Sequence, residues 1–115
     1  MKTRILLLTT GGTIASLPKA EGLAPGLDGE DLAELLPRGI TDAYDITIQD
    51  ILHLDSSNIQ PEEWQTIARH VFAQRNAYDG IVITHGTDTM AYTASVLSFM
   101  LRGISIPVVL TGAQL

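Results

Sequence analysis

Short blocks of aliphatic residues recur along this chain, and nearly every block runs into a polar segment carrying glycine, threonine or serine. Ile5 to Leu8 and Ile81 to Ile83 are apolar throughout and read as buried strands, and Ile106 to Leu110 is a further apolar run. Ile46 and Ile48 instead alternate with polar neighbours. The pattern predicts strands at about Arg4 to Thr9, Tyr44 to Ile51, Gly80 to Thr84 and Ile106 to Leu110. Between them the period changes. Trp64, Ile67, Ala68, Val71 and Phe72 fall at i, i+3, i+4, i+7 and i+8, a single helical stripe. Pro61 suits the first turn of that helix, and Glu62 and Glu63 place negative charge at its positive end. A second helix is predicted from Met90 to Leu101, closed by Gly103. Asp28 reads as the N-cap of a short helix ending before Pro37, with Asp31 and Glu34 among Leu32, Leu35 and Leu36. Ser16 to Leu27, with Gly22, Pro25 and Gly26, reads as a long surface loop.

Strand and helix in alternation predict an α/β fold, a parallel sheet with flanking helices and right-handed crossovers. The expected architecture is three-layered, Rossmann-like or flavodoxin-like. In such a sheet every strand exits on the same edge, and ligands bind in the crevice outside that edge. The exits here begin at Thr10, His53, Thr84 and Thr111. Three contain glycine beside threonine, and the fourth contains Ser56 and Ser57 beside Asp55. Four such exits on one edge mark a functional crevice.

Composition narrows the chemistry. At 115 residues, 45% of them hydrophobic, the chain is one domain in size and has enough apolar material for a core. A net charge of -6 argues against nucleic acid and anionic membranes as partners. With no cysteine there is neither a disulfide framework nor a thiolate. The apolar run near the N-terminus is too short for a secretory signal, and no run approaches a membrane span, so the expected address is the cytoplasm. His53 and His70 lack metal-ligand spacing to other residues and read as structural or solvated; no metal or cofactor is expected.

Taken singly, the polar runs have plain structural explanations. Thr10-Gly11-Gly12-Thr13 serves as a tight turn, and it matches neither phosphate-binding glycine pattern. His85-Gly86-Thr87-Asp88 serves as the start of a helix, capped by Thr87 or Asp88. Asp55-Ser56-Ser57-Asn58 serves as an Asx or Ser turn. In order along one chain, however, Thr9-Thr10-Gly11-Gly12-Thr13-Ile14-Ala15, Asp55-Ser56-Ser57, Thr84-His85-Gly86-Thr87-Asp88-Thr89 and Thr111-Gly112-Ala113-Gln114 resemble one family. They look like the N-terminal part of the bacterial-type L-asparaginases, the asparaginase/glutaminase amidohydrolases. The match covers about a third of a normal member, so residues 1–115 correspond to an incomplete N-terminal α/β domain of a two-domain enzyme.

The resemblance assigns roles. Thr13 matches the nucleophile that attacks the side-chain amide and forms a β-aspartyl ester. Thr87 matches the second catalytic threonine. Asp88 matches the carboxylate that binds the substrate α-amino group and supports the catalytic triad. Ser56 matches the serine that holds the α-carboxylate, with Asp55 and Ser57 beside it. Backbone donors near Thr87 and Ala113 would face the oxyanion. The implied substrate is L-asparagine, with L-glutamine as the alternative, and the implied intact enzyme is a homo-oligomer, dimer or tetramer, whose sites are completed by a neighbouring subunit.

The chain departs from the pattern in two places. The family's activating lysine lies downstream of the Thr111 motif, past Leu115, and neither Lys2 nor Lys19 matches it. No tyrosine occupies the lid loop, near Gly22 and Leu23. Two classes of function therefore stand side by side: an amidohydrolase that holds here its nucleophile and substrate-binding half, and a non-catalytic fragment or amino-acid-binding module. The 115-residue chain alone is expected to be inactive.

Overall fold

The computed structural model describes residues 2–11, 36–53 and 59–112, together with the backbone of 17–19 and 22–24. Four parallel strands form the central sheet: β1 (Thr3–Thr9), β4 (Tyr44–Asp50), β5 (Gly80–Thr84) and β6 (Val108–Thr111), in the order β4-β1-β5-β6. Non-neighbouring order with parallel pairing requires crossovers, and the helices supply them. Helix α2 (Pro61–Gln74) joins β4 to β5, and α3 (Met90–Met100) joins β5 to β6. The expected parallel α/β sheet is present.

Alternation along the strands explains the core. Leu6 and Leu8 of β1 pair with Ile81 and Ile83 of β5 and point to one face. There they meet Ile67 and Val71 of α2 and Leu97 of α3, all buried. Leu7 points to the opposite face and is also buried, so this central strand is covered on both sides. Full burial of each such side chain contributes roughly 1.5–3 kcal/mol. Phe72 ends the predicted stripe but is exposed, because it lies past the sheet-facing side of α2; the Arg75 guanidinium stacks on its ring at 3.7 Å.

Several boundaries differ from expectation. Ser16 to Leu27 is not simply a loop: Leu17–Lys19 (β2) and Gly22–Ala24 (β3) pair antiparallel as a short hairpin. The helix expected before Pro37 lies outside the described residues. A six-residue helix, α1 (Arg38–Ala43), instead follows Pro37, whose carbonyl accepts from Ile40 N at 3.0 Å. Proline's fixed φ suits a helix start as well as it ends one. Strand β6 begins at Val108 because Pro107 has no N–H for the ladder, although its carbonyl accepts from Ile81 N at 3.0 Å.

The N-terminal edge is braced by Arg4 and Asp79. Their backbones join through Asp79 N and Arg4 O at 2.8 Å, and Asp79 Oδ2 accepts from Arg4 N at 2.8 Å. Arg4 Nη2 lies 3.4 Å from Asp79 Oδ1. The Arg4 amide, then its guanidinium, hold the Asp79 carboxyl below its ordinary range.

Candidate active site at the C-terminal sheet edge

Strand register sets Asp50, Thr9, Thr84 and Thr111 side by side across the C-terminal edge. The Thr9 hydroxyl donates to the Asp50 carboxylate. One residue on, the buried Thr10 hydroxyl donates to the Thr84 carbonyl at 2.6 Å, tying the exit of β1 to the exit of β5. On the other side, the amides of Ile51 and Leu52 both donate to Thr9 O, at 3.0 and 3.4 Å. Gly11, with φ of 87°, then turns the chain away in the left-handed region that glycine enters without strain. The exits of β4, β1 and β5 are therefore fixed to one another by hydrogen bonds.

The fourth exit presses against the third. His85 N donates to Thr111 O at 2.9 Å, which extends the β5–β6 ladder by one bond. Gly112 follows. A Cβ at Gly112 would lie 2.5 Å from His85 O and 3.1 Å from Thr87 Cγ2, so glycine alone fits without displacement. The segment leading to Thr87 is thus seated directly on the end of β6.

Beneath this segment the His85 side chain is 1% exposed and both ring nitrogens are engaged. Nδ1 lies 2.7 Å from Gly86 O, and Nε2 lies 2.9 Å from Thr93 Oγ1. A carbonyl only accepts, so these partners assign the hydrogen to Nδ1. Nε2 then accepts from the Thr93 hydroxyl, whose oxygen accepts from Trp64 Nε1 at 2.7 Å. Neither ring nitrogen is left to take a proton from a nucleophile at the edge. By contrast, Thr84 Oγ1 is buried with no hydrogen-bond partner among the described residues.

Thr87 and Asp88 form the turn before α3, with Thr87 half-buried and Asp88 exposed. The expectation that one of them caps the helix is corrected: Thr89 holds the N-cap position, and no side chain caps there. Thr87 and Asp88 are thereby left unspent on helix capping, close to backbone N–H groups that favour negative charge. Of the predicted site residues, the structure brings Thr87 and Asp88 to the edge. Thr13, Asp55, Ser56, Ser57 and Ala113 lie outside the described residues. Sequence reasoning does not single out Thr93 and Trp64 as partners of the motif. The available signal is Thr93 itself, a polar residue four positions before Leu97 and so on the same buried line of α3.

Among the described residues no group of histidine, aspartate or glutamate side chains is arranged to hold a metal ion, and no helix is long and apolar enough to cross a membrane.

Residues 4–115 match the family model described as asparaginase, N-terminal. The L-asparaginase of Thermococcus kodakarensis is 54% identical over 97% of this chain. Its solved structure superimposes with a TM-score of 0.83. L-asparaginase I from Vibrio cholerae, 38% identical, covers the whole chain with a TM-score of 0.85. A glutamyl-tRNA(Gln) amidotransferase polypeptide of Methanosphaera stadtmanae is 41% identical over 98% of the chain. The chain spans about a third of the Thermococcus and Vibrio proteins, 34% and 35%, and 26% of the Methanosphaera one.

Proposed function

This chain belongs to the asparaginase family as its N-terminal portion, and on that premise we propose that the whole protein hydrolyses L-asparagine to aspartate and ammonia. The observation that carries the proposal is the Thr87–Asp88 turn, set on the sheet edge beside the exit of β1 that leads to Thr13. Thr13 is the proposed nucleophile. Its hydroxyl oxygen adds to the side-chain amide carbon, ammonia leaves, and water cleaves the β-aspartyl ester to release aspartate. Asp88 holds the α-amino group, Ser56 the α-carboxylate with Asp55 and Ser57 beside it, and backbone donors near Thr87 and Ala113 face the oxyanion.

His85 is spent on Gly86 and Thr93, which supports assigning the activating base elsewhere, to a lysine in the part of the protein downstream of these residues. In this proposal that part forms a second domain, the intact protein is a cytoplasmic homo-oligomer, and glutamine is the competing substrate. A second reading follows from the amidotransferase likeness: release of the amide nitrogen to an acceptor on glutamyl-tRNA(Gln). The higher identity to the Thermococcus L-asparaginase favours free asparagine.

The test is made in the full-length protein. Thr13→Ala abolishes ammonia release from asparagine and keeps aspartate binding measurable, because the hydroxyl is lost and the pocket kept. Asp88→Asn weakens aspartate binding by roughly 2–5 kcal/mol, the cost of leaving a charged group unmatched. Near-normal turnover in Thr13→Ala refutes the nucleophile, and unchanged aspartate affinity in Asp88→Asn reduces Asp88 to a turn residue.

A further inference from the structure

We propose that Thr93, anchored by Trp64, is a positioning residue that sets the Thr87–Asp88 turn through the His85 ring. The inference rests on the reading above in one respect, that Thr87 and Asp88 meet the substrate. Everything else comes from the hydrogen-bond chain. The Trp64 indole can only donate, so Thr93 Oγ1 must accept from it at 2.7 Å. That leaves the Thr93 hydroxyl hydrogen for His85 Nε2 at 2.9 Å. His85 Nδ1 in turn donates to Gly86 O at 2.7 Å, the carbonyl of the peptide that leads into Thr87. The sequence of donors runs one way, from α2 through α3 to the turn.

Every link is needed. Thr93 is 0% exposed and His85 1%, so water does not readily replace a lost partner. Buried polar chains are stable when fully satisfied and costly when broken, and loss of the Thr93 hydroxyl leaves His85 Nε2 unmatched in the ring whose Nδ1 holds the Gly86 carbonyl. The opposite side of the same segment is fixed as well, by His85 N on Thr111 O and by the close approach to Gly112. Strand β6 fixes the backbone from one side, and α2 and α3 fix the ring from the other. A turn held on both sides presents Thr87 and Asp88 in one geometry, and displacements of about 1 Å in such groups reduce catalysis by roughly 10²-fold.

The test uses Thr93→Val, Thr93→Ser and Trp64→Phe in the full-length protein, with Ile67→Val as a core variant and Thr87→Ala as a control on the site. Thr93→Val is expected to raise KM for asparagine and to lower kcat by roughly 10–100-fold. Thr93→Ser restores both to within a few-fold, because it returns the hydroxyl. Trp64→Phe keeps the packing, removes the donor, and shifts both constants in the same direction by less; it also serves where Thr93→Val fails to fold. Ile67→Val lowers the melting temperature and leaves KM unchanged. Thr93→Val or Trp64→Phe with wild-type KM and kcat, beside an inactive Thr87→Ala, overturns the positioning role and leaves the site reading standing. An active Thr87→Ala overturns the site reading itself.

Discussion

Thr84 and Thr93 are both shut away from solvent, yet their hydroxyls stand in opposite circumstances. Thr93 Oγ1 joins Trp64 to His85, whereas Thr84 Oγ1 has no hydrogen-bond partner among the described residues, although the Thr84 carbonyl accepts from Thr10. Burial alone therefore says little about what a threonine does; its partners decide. Glycine shows the same dependence on surroundings. Gly39 has nothing within 4 Å of an added Cβ, while Gly112 meets the His85 carbonyl at 2.5 Å. Gly112→Ala is expected to destabilise by about 1–3 kcal/mol, since backbone must shift to admit the methyl group. Gly39→Ala, in an exposed helix, is expected to be neutral or stabilising by up to about 1 kcal/mol. Urea midpoints of the two variants settle the matter, and equal midpoints would show that the Gly112 approach constrains nothing.

At the scale of elements, the brace between the start of β1 and the residue before β5 carries a pH signature. Asp79 is held below its ordinary value of 3.8 in the folded state, first by the Arg4 amide and then by the Arg4 guanidinium. A carboxyl depressed on folding contributes stability above its unfolded value and loses that contribution as pH falls through the folded value. The urea-midpoint gap between the parent and Asp79→Asn is therefore expected near neutrality and should shrink as pH drops below about 3.8. A gap of constant size from pH 6 to pH 3 would remove the charge from the explanation. Legibility varies among the elements for equally physical reasons. The strand at Gly80–Thr84 and the helices starting at Pro61 and Met90 are readable, the strand from its apolar run, the first helix from its proline and acidic residues, and the second from its apolar run closed by Gly103. The β2–β3 hairpin is not, since three-residue strands leave no period to read. Helix α1 is hidden because Pro37 reads as a stop as readily as a start.

For the whole molecule, the proposed chemistry divides between these residues and the remainder of the protein. A threonine attacks an amide poorly without a proton acceptor, and base assistance is worth roughly 10²–10⁴-fold. His85 is fully engaged, His70 lies within α2, and His53, itself exposed, follows β4. Residues 1–115 prepared alone are therefore expected to release no ammonia above background from millimolar asparagine in a coupled assay. Turnover that vanished on Thr13→Ala would place the base within these residues. Helix α3 also leaves Tyr92 and Phe99 each 67% exposed.

The sequence by itself determined the alternation of strand and helix, the parallel pairing that follows from it, and the polar exits that meet at one edge. These are local or nearly local properties: periodicity, capping residues and connection length act within a dozen positions. The family likeness was legible for the same reason, because its motifs are contiguous runs. Only the tertiary structure decided that Thr10 reaches the carbonyl of Thr84, that Gly112 admits His85, and that Trp64 and Thr93 hold the His85 ring. Apart from Thr93 and His85, which lie eight positions apart, those contacts join residues distant along the chain, and all of them depend on strand register and helix placement. Hydrophobic pattern selects which faces meet; packing and hydrogen-bond direction select which atoms do.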